Sequence, residues 1–458
     1  MVKKLGVHSF GELTLAFSIY LVFAGLSDFG SRLYCWKSVL AASSEDRPST
    51  AVNAWMARTA LAALFLVPIF LGIVIFAKGW MEPLLLLYSV GVLANQVAFD
   101  WFFLSLDRVY SLFIFNTSSG VLYLLFLILL VHKEGDMWLV PLGFVLSYLF
   151  PAFFLMGKDV WRYGKIAATR FGSLAGIFSA AIAIPTRSYT YFFYDFLQRL
   201  SATSIFFVAW RFYSKSMIGE FRVSHLLFTF VASVSVYLGA SLFNRVHEET
   251  AGGKTGISIT YGVIAIMLVV LPFSISGYGI TAPFVKYLLG SHFDMPSLLI
   301  LISGLCLPAL GSFIRETSVA AGHARIGVIS YLTTILTTMA LIVAIHPNSL
   351  GYLASSLLIG EGAGLVVLMW LLPFPLLETI KGRTVLIPAL IGGVFLVLER
   401  VLSLALAHFK GVVQTVGTAS AIAGLFFLYL LIIRKHGVSV WVNTSNSSPP
   451  VLTDVTGG

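Results

Sequence analysis

Long apolar runs, each separated from the next by a short polar or basic loop, dominate this chain. A helix needs about 20 mostly apolar residues to cross the hydrocarbon core of a bilayer. Runs of that kind fall near 10–30, 55–77, 80–100, 109–131, 137–156, 171–193, 223–243, 258–280, 296–314, 326–345, 350–373, 385–406 and 412–433. They predict an all-α polytopic membrane protein with about thirteen spans. Only 11% of the 458 residues are charged, against 58% hydrophobic, and mean hydropathy is +0.93. A soluble domain carries about 25% charged residues, so lipid is the solvent for most of this surface. Residues 194–222 are semi-polar and either extend the sixth span or lie on the membrane surface. No loop exceeds about 30 residues, which leaves no room for a soluble domain. The tail 436–458, rich in Ser, Pro and Gly, reads as disordered. The charged start leads into a full-length span with no small-residue cleavage site, so it is not a signal peptide.

Basic residues mark the orientation. One set of loops in the first half holds Arg32, Lys37, Arg47, Arg108, Lys158, Arg162, Lys165 and Arg170; the other holds only Lys3, Lys4, Lys78 and Lys133. In the second half Arg245, Lys254, Arg315, Arg325, Lys381, Arg383, Arg434 and Lys435 fall on the first side. That side is expected to be cytoplasmic, with the C-terminus inside and the N-terminus outside. Lys3 and Lys4 sit oddly outside, an arrangement that becomes natural if a further helix precedes Met1. The net charge of +9 thus reflects lipid headgroups and topology, and no nucleic-acid motif accompanies it. Cys35 and Cys306 support neither a disulfide framework nor a metal site. The histidines lack zinc spacing, and no glycine-rich phosphate loop supports ATP hydrolysis.

Charges inside spans carry the functional signal, because a charge at the bilayer centre costs about 2.5–3.5 kcal/mol on insertion scales. Arg187 lies well inside the sixth span beside Pro185 and Thr186, and Arg199, Arg211, Lys215 and Arg222 follow, with Asp195 and Glu220 among them. Arg187, Arg199 and Arg211 either line a wet cavity that holds an anionic headgroup or contact lipid phosphates at the outer interface. Arg58 and Arg108 either meet an incoming headgroup or act as topology signals. Asp100 either pairs with Arg108 or is exposed at its helix end. Arg315 and Glu316 close the ninth span; neighbours in sequence do not face each other on a helix, so they need separate partners, and an interfacial position suits them. Glu361, in Ile359-Gly360-Glu361-Gly362-Ala363-Gly364, is the acidic outlier in mid-span. It reads either as an ion-coupling carboxylate or as a neutral, hydrogen-bonded group at a close helix contact.

Several short segments resemble one family. They are Leu5-Gly6-Val7-His8-Ser9-Phe10-Gly11-Glu12, Leu26-Ser27-Asp28-Phe29-Gly30, Asp100 to Arg108, Ile218-Gly219-Glu220-Phe221, Leu288 to Phe293 and Ala320 to Arg325. In this order they resemble the Wzx-like polysaccharide and O-antigen flippases of the MOP (MATE-like) exporter superfamily. The family's first helix is absent, and Ser105 and Asp107 depart from its pattern. The resemblance implies two lobes about a central cavity: 1–165 as an N-terminal lobe, 166–376 as a C-terminal lobe and 377–435 as a trailing helix pair. It implies a transporter, not an enzyme, working by alternating access. The cargo would be an undecaprenyl-diphosphate-linked oligosaccharide in a bacterial inner membrane, with membrane lipids around it and a polysaccharide polymerase and chain-length regulator as partners. No cofactor is implied. Cavity candidates under this reading are Arg187, Arg199, Arg211, Arg58, Arg108 and Arg315, with Glu361 for ion coupling. The rivals are a cation-coupled multidrug exporter of the same superfamily, which would favour an acidic cavity, and a polymerase or ligase, which would carry a long external loop.

Overall fold

The computed structural model describes residues 2–372 except 98–99, 107, 172–173, 252–257, 260–261, 268–269, 271–273, 275–294 and 346–348. All regular structure among them is helical. The first set of helices is α1 (Val2–Asp28), α2 (Ser31–Leu40), α3 (Arg47–Phe76), α4 (Met81–Val97), α5 (Asp100–Ser105), α6 (Val109–Leu130) and α7 (Leu139–Phe171). The second is α8 (Leu174–Phe212), α9 (Lys215–Ala251), α10 (Met295–Ser303), α11 (Cys306–Ala320), α12 (Ala324–Ile345) and α13 (Leu350–Leu371).

Seven described helices are long and apolar enough to span a membrane, and α10 with α11, bent by 44°, makes an eighth. The two trailing spans expected at 385–406 and 412–433, the polar tail and most of the span at 258–280 lie outside the described residues. The semi-polar stretch resolves in favour of extension. Residues 194–212 continue α8 without a break, and the chain turns only before Lys215. The helices are apolar on nearly every side, as lipid-solvated helices are. Val67, Leu71, Val74, Ile75 and Phe76 on α3 are exposed, as are Phe153 and Phe154 on α7. Hydrocarbon satisfies those side chains, so their exposure costs nothing in a bilayer.

Within the first set, α1 packs on α4, α3 on α4 and α7, and α6 on α7. Within the second, α9 packs on α11, and α12 on α13 and α8. Helix α1 also lies along both α8 and α9, and α2 and α3 reach α8. One buried cluster, including Leu13, Tyr20, Tyr88 and Val140, is confined to the first set. A larger one runs across both and includes Trp36, Phe103, Phe206, Phe243 and Phe313. A seam between the two sets is therefore packed, and several of the charged residues lie along it.

Candidate functional site

Glycine makes the seam possible. A Cβ on Gly11 of α1 would lie 2.1 Å from the carbonyl oxygen of Lys215, and one on Gly219 of α9 would lie 2.3 Å from that of Val7. Two segments more than 200 positions apart thus meet backbone to backbone. Beside this crossing the Lys215 ammonium pairs with the buried Glu12 carboxylate. It also lies 5.0 Å from the Trp80 ring and 5.7 Å from that of Trp210. At the far end of α1, Gly30 adopts φ 70°, and a Cβ there would lie 2.2 Å from the backbone nitrogen of Phe192. Ser188 of α8 donates to the Phe29 carbonyl at 2.7 Å.

Charged residues cluster beside that end of α1. Arg58 donates to Asp28 Oδ1 from Nε at 3.0 Å and from Nη2 at 2.8 Å, and Ser31 donates to the same oxygen at 2.6 Å. Arg58 is 2% exposed, an internal partner of Asp28. Arg32 reaches from α2 to Asp195 at 3.6 Å and to Glu316 at 4.0 Å. Gln198 donates to Glu316 at 3.0 Å. Arg199, half-buried, lies against Gly25 of α1 and acts electrostatically on both Asp28 and Asp195.

Arg315 is enclosed in the same way. It is 1% exposed and donates to Ser330 at 2.9 Å, to Thr334 at 3.3 Å and to Glu361 at 3.1 Å, with Tyr331 4.3 Å beneath the guanidinium. Arg315 and Glu316 do take separate partners, as their adjacency required. Glycines 360 and 364 admit this network. A Cβ on either would fall 2.0–2.1 Å from a threonine hydroxyl of α12. Glu361 is thus a paired carboxylate at a close helix contact.

The cavity lies elsewhere on the seam. About 540 Å³ of space opens between α2, α3 and α8, lined by Ser38, Asn53, Ser179 and Arg187 among small apolar residues. This volume falls within the usual range for small-molecule sites, about 300–1,000 Å³. Arg187 is exposed, whereas the Asn53 side-chain oxygen is buried without a hydrogen-bond partner. The pocket therefore presents one accessible cation, Arg187, while the Asn53 oxygen is enclosed behind its wall.

The other candidates separate. Arg211 is exposed in the last turn of α8, away from both cluster and cavity. Arg108 is the half-buried residue before α6, and the side chain of Asp100 lies outside what is described. Arg222 places its guanidinium between the rings of Phe17 and Phe206, at 5.5 and 5.2 Å, so it faces the first set of helices. Arg32 and Asn53 join the site only through packing. Asp195 had a usable signal, being a lone acid in the apolar run 189–197.

No family model and no curated protein sequence matches this chain. Solved structures do. A lipid II flippase, MurJ, in an inward closed conformation aligns with TM-score 0.59 at 12% identity, covering 94% of this chain and 96% of that one. A multidrug resistance MATE family transporter of the MOP superfamily, inward-facing, aligns with TM-score 0.56 at 15% identity over 81% and 91%. A point mutant of the Vibrio cholerae MATE transporter VcmN aligns with TM-score 0.54 at 11% identity over 80% and 94%. At these identities the likeness is one of fold, and this chain has the fold shared by the lipid II flippase and the MATE transporters.

Proposed function

We propose that this protein is a transporter of the MOP superfamily. On this reading it turns a lipid-linked, negatively charged oligosaccharide across a bacterial inner membrane, from the cytoplasmic to the outer leaflet. The observation that carries it is a cavity on the seam with the accessible Arg187 guanidinium in its wall. A diphosphate needs a cation when it leaves bulk water. Helices α1–α7 act as one lobe and α8–α13 as the other, with the headgroup moving between them while its lipid tail stays in the bilayer. Arg199 and Arg222 extend the cationic lining along the seam. The chemistry is binding and movement, with no bond made or broken. The shared fold with a lipid II flippase supports a lipid cargo; the shared fold with MATE transporters supports the drug-exporter rival equally. Asp195 and Glu316 are the acidic groups that rival would use.

The deciding assay uses proteoliposomes loaded with a fluorescent undecaprenyl-diphosphate-linked sugar, scored by a membrane-impermeant quencher. The wild type should equilibrate the label between leaflets, Arg187→Ala should slow this at least about tenfold, equivalent to about 1.4 kcal/mol, and Arg187→Lys should retain part of the rate. Wild-type flipping by Arg187→Ala, or no flipping alongside efflux of a cationic dye, would refute the lipid-cargo reading.

A further inference from the structure

The cavity beside Arg187 has two chemically different ends. Three helices each turn one strip of residues towards it. Tyr34 and Ser38 of α2 are one turn apart, as are Thr50, Ala54 and Ala57 of α3, and Ser179, Ala183 and Arg187 of α8. Residues at that spacing share one side of a helix. Alanines hold the middle of the α3 and α8 strips and leave the space unfilled.

Neighbouring hydrogen bonds fix which end is which. Ser188, next to Arg187, donates to Phe29 at the end of α1, and Arg58, next to Ala57, donates to Asp28. Arg187 and Ala57 therefore mark the end nearest α1. Thr50 and Ser179 lie two turns further from α1, about 10–12 Å along their helices. Ser38 is likewise two turns along α2 from Ser31, the partner of Asp28. On α3 the exposed large apolar residues run from Leu64 to Phe76, all on the Ala57 side. Counted back from Phe76, about 30 Å of hydrocarbon ends near Ala57, and Thr50 falls about 10 Å beyond it. One cation thus stands at the edge of the hydrocarbon, and hydroxyls stand further out at headgroup depth.

The groups in the cavity are also open to a ligand. Among the described residues the side chains of Tyr34, Thr50, Ser179 and Arg187 have no hydrogen-bond or ionic partner. Ser38 donates to the Tyr34 carbonyl at 2.8 Å and keeps its lone pairs. Arg58 and Arg315, by contrast, are already paired with carboxylates.

We propose that this cavity reads the junction between the diphosphate and the first sugar of a lipid-linked cargo. Arg187 holds a phosphate, for which its forked donors are suited. Ser38, Thr50 and Ser179 meet the hydroxyls of the sugar, since a hydroxyl both donates and accepts, and the Tyr34 ring supplies an apolar face beside them. The order of groups in the wall, from hydrocarbon edge outwards, is the order in the cargo: lipid, phosphate, sugar. Arg187 then detects that a diphosphate is present, and the three hydroxyls set which sugar may follow it.

The inference rests on the lipid-cargo reading, and the two fail separately. Thr50→Cys, Ser179→Cys and Ala183→Cys would each be made in the full chain with Cys35→Ala and Cys306→Ser, and maleimide labelling followed in nanodiscs. The probes are undecaprenyl diphosphate, bare or carrying one N-acetylglucosamine. Both should slow labelling of Ala183→Cys, one turn from Arg187. Only the sugar-bearing lipid should slow labelling of Thr50→Cys and Ser179→Cys, and adding Arg187→Ala should abolish protection at all three. Thr50→Val/Ser179→Ala should weaken binding of the sugar-bearing lipid about tenfold, as expected for two lost hydrogen bonds, and leave that of the bare lipid unchanged. Protection of Thr50→Cys and Ser179→Cys by the bare lipid, their neglect by the sugar-bearing one, or equal weakening of both lipids in the double variant would overturn this assignment while the cargo reading stands. Failure of both lipids to protect Ala183→Cys would overturn the cargo reading and the assignment with it.

Discussion

Consider deleting the carboxylate of Glu361. In the folded protein Arg315 is 1% exposed and spends its donors on Ser330, Thr334 and Glu361. The guanidinium cannot lose its proton to escape burial. Glu361→Leu therefore leaves an uncompensated buried cation, a situation that costs about 3–5 kcal/mol. Arg315→Met leaves the complementary orphan, a buried carboxylate, which can neutralise itself by taking a proton; its cost should fall at or below the low end of that range. The double variant Arg315→Met/Glu361→Leu leaves neither charge, and replacing a buried pair by apolar groups of similar volume is often neutral or stabilising. It should lie within about 1–2 kcal/mol of the wild type, a cost set by the Ser330 and Thr334 hydroxyls losing a donor. Reversible unfolding in mixed micelles, as the detergent denaturant fraction is raised, measures all four proteins. If the two single losses add in the double variant, Arg315 and Glu361 are not coupled and the clamp across α11, α12 and α13 is a misreading. Near-additivity is expected only of sites without a shared contact.

Three shorter predictions follow from the seam. Gly219→Ala puts a Cβ 2.3 Å from a backbone oxygen where contact normally begins near 3.5 Å. α1 and α9 must then part by about 1 Å, and a pair of cysteines engineered across the crossing should cross-link more slowly than in the parent. Trp36→Phe keeps the ring stack on Phe243 and removes the hydrogen bond to Asn244. It should cost about 1 kcal/mol in the same unfolding assay. Arg211→Ala, by contrast, removes an exposed side chain with no described partner and should leave flipping at the wild-type rate. A loss comparable to that of Arg187→Ala would place Arg211 in the cargo path.

Local patterning set the solvent and most of the spans. Apolar runs of spanning length are a local property, and each such run among the described residues became helix, the ninth with a bend. The ends were less legible. α8 runs on to Phe212, and polar side chains early in that extension find partners on neighbouring helices, Asp195 with Arg32 and Gln198 with Glu316. The seam also joined the first and fourth resembling segments through Gly11 and Gly219, a contact that neither segment implies alone.

Tertiary structure alone decided what each charge does. Arg187, Arg211, Arg58 and Arg315 look alike in the sequence, each a cation in or beside an apolar run. Packing sends the first to a cavity wall, the second to the surface and the last two into fully enclosed pairs. Helices that are apolar over most of their surface give little sign of which face is buried or which neighbour it meets. The pairs that matter are 30 positions apart for Asp28 and Arg58, 46 for Arg315 and Glu361, and more than 160 for Arg32 and Asp195. A charge is tolerated in hydrocarbon only beside its counterpart, and that counterpart is chosen by which helices cross, which no local pattern records.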